Sequence, residues 1–324
     1  MTNKKIVEVI SPFSDLEPIH RMKVLGLVKG AANEFSFHEF GKADSLPSII
    51  LINCLHLDLV KNEDFIKALE QRSQNAVVML LMADFYPSSL EYLKLWENYV
   101  DVFLVPTPEM RDFVKIFTKK SVNVLIDPID FGLTDSRLVE AKPPSPLKVV
   151  WFGYPESYAK SMEMYAGVLT QLHQQRDIEF HIISKNDTYG EFAGCVMHEY
   201  RPDTFLDLLC QFDVAVLSHF PFDFSISTQW KSENKAVLAI NRGLPVVASR
   251  TPTYSRLLES CAVGEFLFST ADDLVSALRK LQKPEVRDAY LRASQNTVLE
   301  NYAISTMSRQ LSKIYLEESL KKSS

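Results

Sequence analysis

Two lysines and several small polar side chains stand at the start of a predicted helix. The segment Lys231–Arg242 has the apolar spacing of a helix, with Asn234 and Lys235 in its first turn and Thr228 just ahead of it. Free backbone amides at a helix N-terminus and nearby ammonium groups are the chemistry that binds phosphate. A solvated helix start with ordinary caps fits the same pattern equally well.

Two apolar strands must position this helix. Asp213–Ser218 precedes it, and Gly243 ends it directly before the apolar run Leu244–Ser249. A strand, a helix and a second strand, with glycine at the helix exit, are typical of a parallel crossover unit.

Further candidate ligands follow two other predicted strands. Gly153 would let backbone approach a bound group, and Lys160, expected just before a helix over Ser161–Gln174, could reach a diphosphate. Tyr200 and Arg201 lie at the exit of the strand predicted over Val196–Tyr200 and could hold a planar base. A solvent-exposed lysine and structural loop residues are the alternative interpretations.

The first half of the chain offers an acid and a histidine. Asp84 follows the apolar strand Val77–Met82 and could act as a general base or bind an acceptor hydroxyl. A turn residue ahead of Pro87 is the alternative interpretation of Asp84. His20 lies in Leu16–Ala31, which has helical spacing, and a structural histidine is the alternative there.

The organisation of the chain predicts two α/β domains. Strand and helix patterns alternate, which indicates parallel sheets covered on both faces. The alternation stops over Thr134–Lys148, which contains Pro-Pro-Ser-Pro, and then resumes. We expect an N-terminal Rossmann-like domain over 1–133, a linker over 134–148, a second over 149–303, and a helix over 304–324 packing back on the first. Two doubly wound domains facing across a cleft would bind ligands beyond the carboxyl ends of their strands.

Composition and missing motifs exclude several classes of function. The chain has 324 residues, with 35 Lys and Arg against 41 Asp and Glu, and no basic run that would bind nucleic acid. It has no HExxH, GxSxG, GxGxxG or Walker A motif, which argues against a zincin, an α/β-hydrolase and glycine-rich nucleotide turns. Its four cysteines form no CxxC pair, and no apolar run approaches about 18 residues. A cytoplasmic protein is therefore expected.

In this layout the chain resembles the GT-B glycosyltransferases. The segments that carry the resemblance are Val150–Gly153 with Lys160–Ser161, Asp213–Ser218, Gly243–Ser249, and Asp101–Thr107 with Asp127–Asp130. Two positions depart from the pattern of many retaining members, which carry paired glutamates where this chain has Trp230 and Leu238. Tyr154 likewise stands where an arginine is common.

The resemblance implies a donor site in the second half and an acceptor site in the first. The implied donor-binding residues are Gly153, Tyr154, Lys160, Tyr200, Arg201, Ser227, Thr228, Lys231, Asn234 and Lys235. The implied catalytic residues are Asp84 and Glu233, and the implied acceptor-binding residues are Ser14, His20 and Phe85. Because both paired glutamates are absent, the ribose contact would come from Glu233, Asn234 or Lys235, or the activity would be altered or lost.

We therefore expect transfer of a sugar from a nucleotide-sugar to a glycan, lipid-linked or other acceptor, in surface polysaccharide or glycan biosynthesis. Lysines would neutralise the diphosphate, so neither a metal nor a cofactor is expected. Peripheral association with the inner face of a membrane is part of this expectation. The alternatives are a nucleotide-sugar epimerase of the same fold and a non-catalytic nucleotide- or sugar-binding homologue.

Overall fold

A computed structural model describes residues 4–15, 17–55, 57–133, 135–137, 146–185, 195–219 and 226–323, without the side chains of residues 57, 87, 226 and 227. The chain forms two compact units. The first unit comprises Met1–Thr134, Trp230–Ser232 and Tyr302–Ser324, and the second comprises Asp135–Gln229 and Glu233–Asn301. The middle of the predicted linker, residues 138–145, lies outside the described ranges.

The first unit contains a sheet of six parallel strands in the order β2-β1-β3-β4-β5-β6. The strands are β1 Lys5–Ile10, β2 Phe35–Glu39, β3 Ile49–Asn53, β4 Val77–Leu81, β5 Val102–Val105 and β6 Ser121–Val124. Every residue of β3, β4 and β5 is buried. Such continuous apolar runs suit central parallel strands, because helices cover both of their faces.

The second unit also contains six parallel strands, in the order β12-β11-β10-β7-β8-β9. The strands are β7 Leu147–Phe152, β8 Ile178–Ser184, β9 Cys195–Glu199, β10 Val214–Leu217, β11 Val246–Ser249 and β12 Leu267–Phe268. The predicted pair of doubly wound α/β sheets is confirmed.

Helices connect the strands of both sheets. Those up to the end of β6 are α1 Gly26–Gly30, α2 Leu57–Lys61, α3 Glu63–Arg72, α4 Leu90–Trp96 and α5 Pro108–Val114. Those after the start of β7 are α6 Pro155–Ser161, α7 Ala166–Gln174, α8 Phe205–Leu209, α9 Asn234–Asn241, α10 Pro252–Ser260, α11 Ala271–Leu281, α12 Pro284–Tyr302 and α13 Ile304–Ser323. In the part of the chain that the structure describes, none is long and apolar enough to cross a bilayer.

The strand orders fix where each sheet can bind a ligand. In the first unit the direction of strand addition reverses at β1 and β3, and in the second at β7 and β10. At a reversal the loops leaving the two strands run to opposite faces of the sheet, which leaves a crevice at their carboxyl ends. A ligand site is therefore expected among the residues that directly follow these four strands.

Three local predictions differ from the structure. Strand β2 was not predicted, although its sequence Phe-Ser-Phe-His-Glu alternates apolar and polar residues as a half-buried edge strand does. The segment predicted as one helix over Leu16–Ala31 is a π-helix over His20–Leu25 followed by α1. Of the helix predicted over Ser161–Gln174, only Ala166–Gln174 is the α-helix α7, and a separate helix, α6, which Pro155 opens, precedes it.

The last helix is part of the core of the first unit. Met307, Leu311 and Ile314 of α13 are buried in one apolar cluster with Leu27 of α1. At Gly30 the two helices are so close that an added Cβ would lie 2.5 Å from Ser308 Oγ and would also collide with Ile304 Cγ2. Only a hydrogen fits between the helices at this point.

We expect Gly30→Ala to destabilise the first unit by about 1–3 kcal/mol, because the added methyl group overpacks a full interface. Gly167→Ala is the matched control: Gly167 also lies in a helix, but an added Cβ there meets nothing within 4 Å. It should leave stability unchanged or raise it by up to roughly 1 kcal/mol through helix propensity. Urea unfolding of both variants measures the difference, and equal stabilities would contradict the interpretation.

Candidate functional site

The loop after β7 in the second unit begins with a pinned glycine. Gly153 donates its amide hydrogen to the Ile183 carbonyl at 3.1 Å, and Ser184 Oγ donates to the Gly153 carbonyl at 2.9 Å. Both partners lie at the end of the neighbouring strand β8. The loop backbone is therefore held in place at the reversal of strand order.

A lysine of α9 lies directly above this glycine. A Cβ built on Gly153 would be 2.5 Å from Lys235 Nζ and 2.9 Å from the Trp151 ring. The same ammonium group lies 5.3 Å from the centroid of the Trp151 indole, a cation–π contact. Lys235 is in the first turn of α9, so a positive charge and the start of a helix meet at the exit of β7. Any side chain at position 153 would displace the ammonium group.

The residue before α9 is a buried acid. Glu233 is 3% exposed and accepts a hydrogen bond from Arg256 Nη2 of α10 at 2.9 Å. Removing Arg256 would deprive the buried Glu233 charge of this partner, which is costly in a protein interior, whereas Arg256 is half-exposed and would stay solvated without Glu233. The ion pair thus holds the start of α9 to α10.

Aromatic and hydroxyl side chains pack beside this ion pair. The His219 ring, after β10, stacks on the Tyr254 ring with centroids 4.9 Å apart, and the His219 amide donates to Ser249 Oγ. Burial raises the pKa of the Tyr254 hydroxyl, and the charge of Glu233 raises it further, so this group stays protonated. The carboxyl ends of β10 and β11 therefore carry a closely packed polar cluster.

The other predicted donor ligands are scattered along the carboxyl edge of the second sheet. The Tyr154 ring is exposed, with Lys185 Nζ 5.6 Å from its centroid. The Tyr200 ring packs on Phe205, and Arg201 makes an exposed ion pair with Glu199 at 2.6 Å.

Lys160 is exposed in the last turn of α6. It therefore lies at the opposite end of that helix from Gly153, and not before a helix as the sequence predicted.

The remaining donor candidates surround the start of α9. Thr228 is in a short 3-10 helix, Asn234 is the first residue of α9, and both are half-buried. The Ser227 side chain lies outside the described residues. Lys231 belongs to the first unit, as do Trp230 and Ser232. The predicted second domain was continuous over 149–303, and this difference arises because the Trp230 ring is buried in the first unit's core.

The first unit has a hydrogen-bonded cluster at its own strand reversal. Ser11 Oγ, after β1, lies 2.7 Å from His20 Nδ1, and Asn53 Nδ2, at the end of β3, donates to Ser11 Oγ at 3.0 Å. His20 Nε2 lies 3.3 Å from the exposed carboxylate of Asp15. Asn53 is fully buried, and its Oδ1 has no hydrogen-bond partner among the described residues.

Ion pairs hold the π-helix that carries His20. Lys23 Nζ lies 2.6 Å from Asp127 Oδ1, and both side chains are buried. Arg21 makes two 2.7 Å hydrogen bonds to Asp130. The two acids follow β6, so the π-helix is held against the carboxyl edge of the sheet. π-helical turns occur frequently at functional sites.

The predicted acid and acceptor residues lie along the same edge. Asp84 and Ser14 are exposed in the loops after β4 and β1. The Phe85 ring is 1% exposed and packs on Phe113 with centroids 5.9 Å apart. The ring therefore fills the core, and only the backbone of Phe85 can contribute to a site.

The prediction from sequence missed Asn53 and Arg256. Asn53 is a polar residue at the carboxyl end of an apolar strand, a position that could have marked it. Arg256 carries no local signal, because its partner Glu233 is 23 positions away. No group of three or more His, Cys, Asp or Glu within the described ranges could hold a metal ion.

Solved structures share this architecture. The chain aligns over 96% of its length with 98% of an E. coli trehalose-6-phosphate structure bound with UDP-2-fluoro glucose, at 11% identity and a TM-score of 0.63. For TarM of S. aureus the coverage is 84% of this chain and 55% of that chain, with 14% identity and a TM-score of 0.62. The fold is that of the GT-B glycosyltransferases.

A third GT-B match is the pneumococcal O-GlcNAc transferase GtfA, in complex with UDP and GlcNAc. It covers 83% of this chain and 56% of that chain, at 13% identity and a TM-score of 0.51. The chain thus spans little more than half the length of TarM and GtfA. No family model matches the sequence, and no curated protein matches it.

Two histidines under the Tyr200 loop make the second unit sensitive to acid. His181 Nδ1 lies 3.0 Å from His198 Nε2, across β8 and β9. Burial lowers the pKa of His181 to about 4, against the opposing charge of Glu179, and burial also lowers the pKa of His198. His181 is therefore neutral in the folded protein where the unfolded chain already binds a proton.

We expect the unit's stability to be full above pH 6.5 and to fall as the pH drops toward 4, by at most about 3 kcal/mol from His181. The loss occurs because only the unfolded state takes up the proton in that range. His181→Phe should flatten this part of the pH profile, because it removes the group that takes up the proton. Thermal unfolding from pH 4 to 7.5 measures it, and parallel profiles for the wild type and His181→Phe would refute it.

Proposed function

We propose that the chain is a glycosyltransferase that moves a sugar from a nucleotide-sugar to an acceptor hydroxyl. The observation that carries the proposal is the ammonium group of Lys235 above Gly153, at the strand reversal of the second unit. A backbone without a side chain, a cation and a helix start together suit a diphosphate. The GT-B fold, seen in neighbours described with UDP, supports this assignment.

Sugar transfer from a nucleotide-sugar depends more on stabilising the negative charge of the leaving diphosphate than on a strong base. The bond between the anomeric carbon and the diphosphate oxygen breaks, and the nucleoside diphosphate leaves with the electron pair. Lys235 and the first-turn amides of α9 would stabilise that charge as it develops. From the sequence, Lys160 and Lys231 were predicted to neutralise the diphosphate. Lys235 is the lysine whose ammonium group lies against Gly153. In this proposal the reaction needs neither a metal nor a cofactor.

The first unit would bind the acceptor. The acceptor hydroxyl forms the new bond to the anomeric carbon and gives up its proton, and the exposed carboxylate of Asp84 is the proposed base. Ser14, His20 and the Ser11–Asn53 pair supply further polar contacts along the same edge. Glu233, predicted as catalytic, would act through its ion pair with Arg256, by holding α9 in place.

The donor we propose is a UDP-sugar, and the acceptor a glycan or lipid-linked saccharide, within surface polysaccharide or glycan assembly. All three structural neighbours reported above are described with UDP or a UDP-sugar, and GtfA also with GlcNAc, which supports this class. A cytoplasmic enzyme that meets its acceptor at the membrane surface is consistent with this proposal.

Lys235→Met should weaken donor binding by about 10- to 100-fold, the effect of losing one charge-assisted contact. The measurement is a thermal-shift titration with UDP-, GDP-, CMP-, ADP- and dTDP-sugars, in which the donor bound by the wild type stabilises it. A concentration of 100 times the dissociation constant should add about 2.7 kcal/mol. Lys148→Met is the matched control, since Lys148 is an exposed lysine near the opposite end of β7. Equal affinities in both variants would exclude Lys235 from the site.

Asp84→Asn should abolish acceptor-dependent release of the nucleotide while donor binding stays unchanged, because the amide cannot accept the proton. The measurement is nucleoside diphosphate release with and without a saccharide acceptor. Undiminished release from the Asp84→Asn variant would show that another group takes the proton.

A non-catalytic nucleotide- or sugar-binding protein is the second candidate. Leu238 and Trp230, which are both buried, favour it, because they occupy the positions of the family's paired glutamates. Donor binding without acceptor-dependent nucleotide release, over a broad panel of saccharides, would establish this function instead.

A further inference from the structure

Trp230 is a core residue of the first unit, although the chain belongs to the second unit up to Gln229 and again from Glu233. Its side chain is 4% exposed and lies in the same apolar cluster as Phe85 and Trp96. At the position where many retaining members of the resembled family carry a glutamate, this chain therefore carries a buried indole. The contacts of that indole suggest what it does.

Three directed contacts fix Trp230. Its Nε1–H donates to the Phe85 carbonyl at 3.1 Å, and its own carbonyl accepts from Thr107 Oγ1 at 3.0 Å. Its ring stacks on Phe113 with centroids 4.1 Å apart and planes at 24°. Stacking and burial need only an aromatic ring, but the bond to Phe85 needs an indole. The hydrogen bond therefore separates Trp230 from a residue that merely fills space.

The bonded carbonyl lies in the loop that carries Asp84. Phe85 follows Asp84 directly, and the next amide, of Tyr86, donates to Ser89 Oγ at 3.3 Å. The Phe85 ring is anchored in the core, and its carbonyl is held by Trp230. The peptide group that follows Phe85 is thus held at both its carbonyl and its amide, and the Phe85 ring is anchored, whereas the Asp84 carboxylate is exposed.

We propose that Trp230 is a positioning residue: its indole N–H holds the Phe85 carbonyl and so fixes the orientation of the Asp84 carboxylate. The inference rests on the proposed function for the role of Asp84, but its contacts do not depend on that function. Asp84 also acts on its surroundings, because its charge adds to burial in raising the pKa values of Tyr86 and Cys54. The Tyr86 hydroxyl is therefore a reporter of where that charge lies.

The decisive variant is Trp230→Phe, which keeps an aromatic ring against Phe113 and removes only the donor and part of the volume. Trp96→Phe is the matched control, since Trp96 is a fully buried tryptophan of the same cluster and loses the same volume. Both are made in the full chain. The readouts are amide exchange at Tyr86 and Ser89, and the titration of the Tyr86 hydroxyl by NMR, assigned with Tyr86→Phe.

We expect Trp230→Phe to speed exchange of these amides by about fivefold, the effect of one ordinary hydrogen bond. It should also lower the pKa of Tyr86 toward its ordinary value, and Asp84→Asn should do the same. In the double variant the two effects on the pKa of Tyr86 should not be additive. Trp96→Phe should leave both readouts unchanged. If Trp230→Phe behaves like Trp96→Phe, or if Asp84→Asn leaves the Tyr86 titration unchanged, the positioning role is wrong.

These readouts separate the inference from the proposed function, because neither requires substrate. If a donor and acceptor are found, Trp230→Phe should also lower kcat without changing the KM for the donor, and should alter the pH profile of kcat. If Trp230→Phe changes the loop readouts but the wild type shows no turnover, the transferase proposal is wrong and the positioning role of Trp230 stands. Unchanged kcat in a variant with a changed loop would refute the link to catalysis.

Discussion

The placement of strand β7 between β8 and β10 determines the rest of the second unit. It pairs in parallel with both, along Leu147–Phe152 with β8 and at Val149 and Val150 with β10. Parallel neighbours need crossover connections of fixed hand, so the loops that leave β7 and β10 diverge to opposite faces. That divergence leaves room for the first turn of α9 above Gly153. Strand β1, between β2 and β3, imposes the same constraint on the first unit.

Charge in both units is organised to hold these loops. The pairs Lys23–Asp127, which is buried, and Glu233–Arg256, in which only the carboxylate is buried, each join two separate segments of the chain. Such pairs add little net stability over apolar packing, but losing one partner is costly, so they specify a conformation. The segments they hold, the π-helix with His20 and the start of α9, both carry candidate site residues. The fold of each unit therefore fixes where these residues lie.

Periodicity predicted the sheets well and the contacts poorly. Apolar runs such as Val77–Leu81 reveal buried parallel strands, because only that environment buries every residue. The order of the strands was not predicted, because crossover rules limit the possible topologies without selecting one. Strand β2 was missed because its alternation of apolar and polar residues covers only five positions, which is a weak signal. Among the site residues, Lys235 was predicted by its position in the first helical turn, but its approach to Gly153 depends on side-chain packing. The sequence did not predict that Trp230 packs in the core of the first unit, because no local pattern shows which core a single tryptophan joins.

The composition of the first unit has a consequence for the order in which the chain folds. Its core needs Trp230 and the α13 residues Met307, Leu311 and Ile314, which follow β6 by more than a hundred positions. During synthesis the N-terminal sheet therefore leaves the ribosome well before its core can be completed, whereas most of the second unit comes from one later stretch of chain. Contacts so distant in sequence carry a loop-closure cost and slow folding. The unit made first is thus the one finished last, and its uncovered face is what a chaperone would meet on the nascent chain.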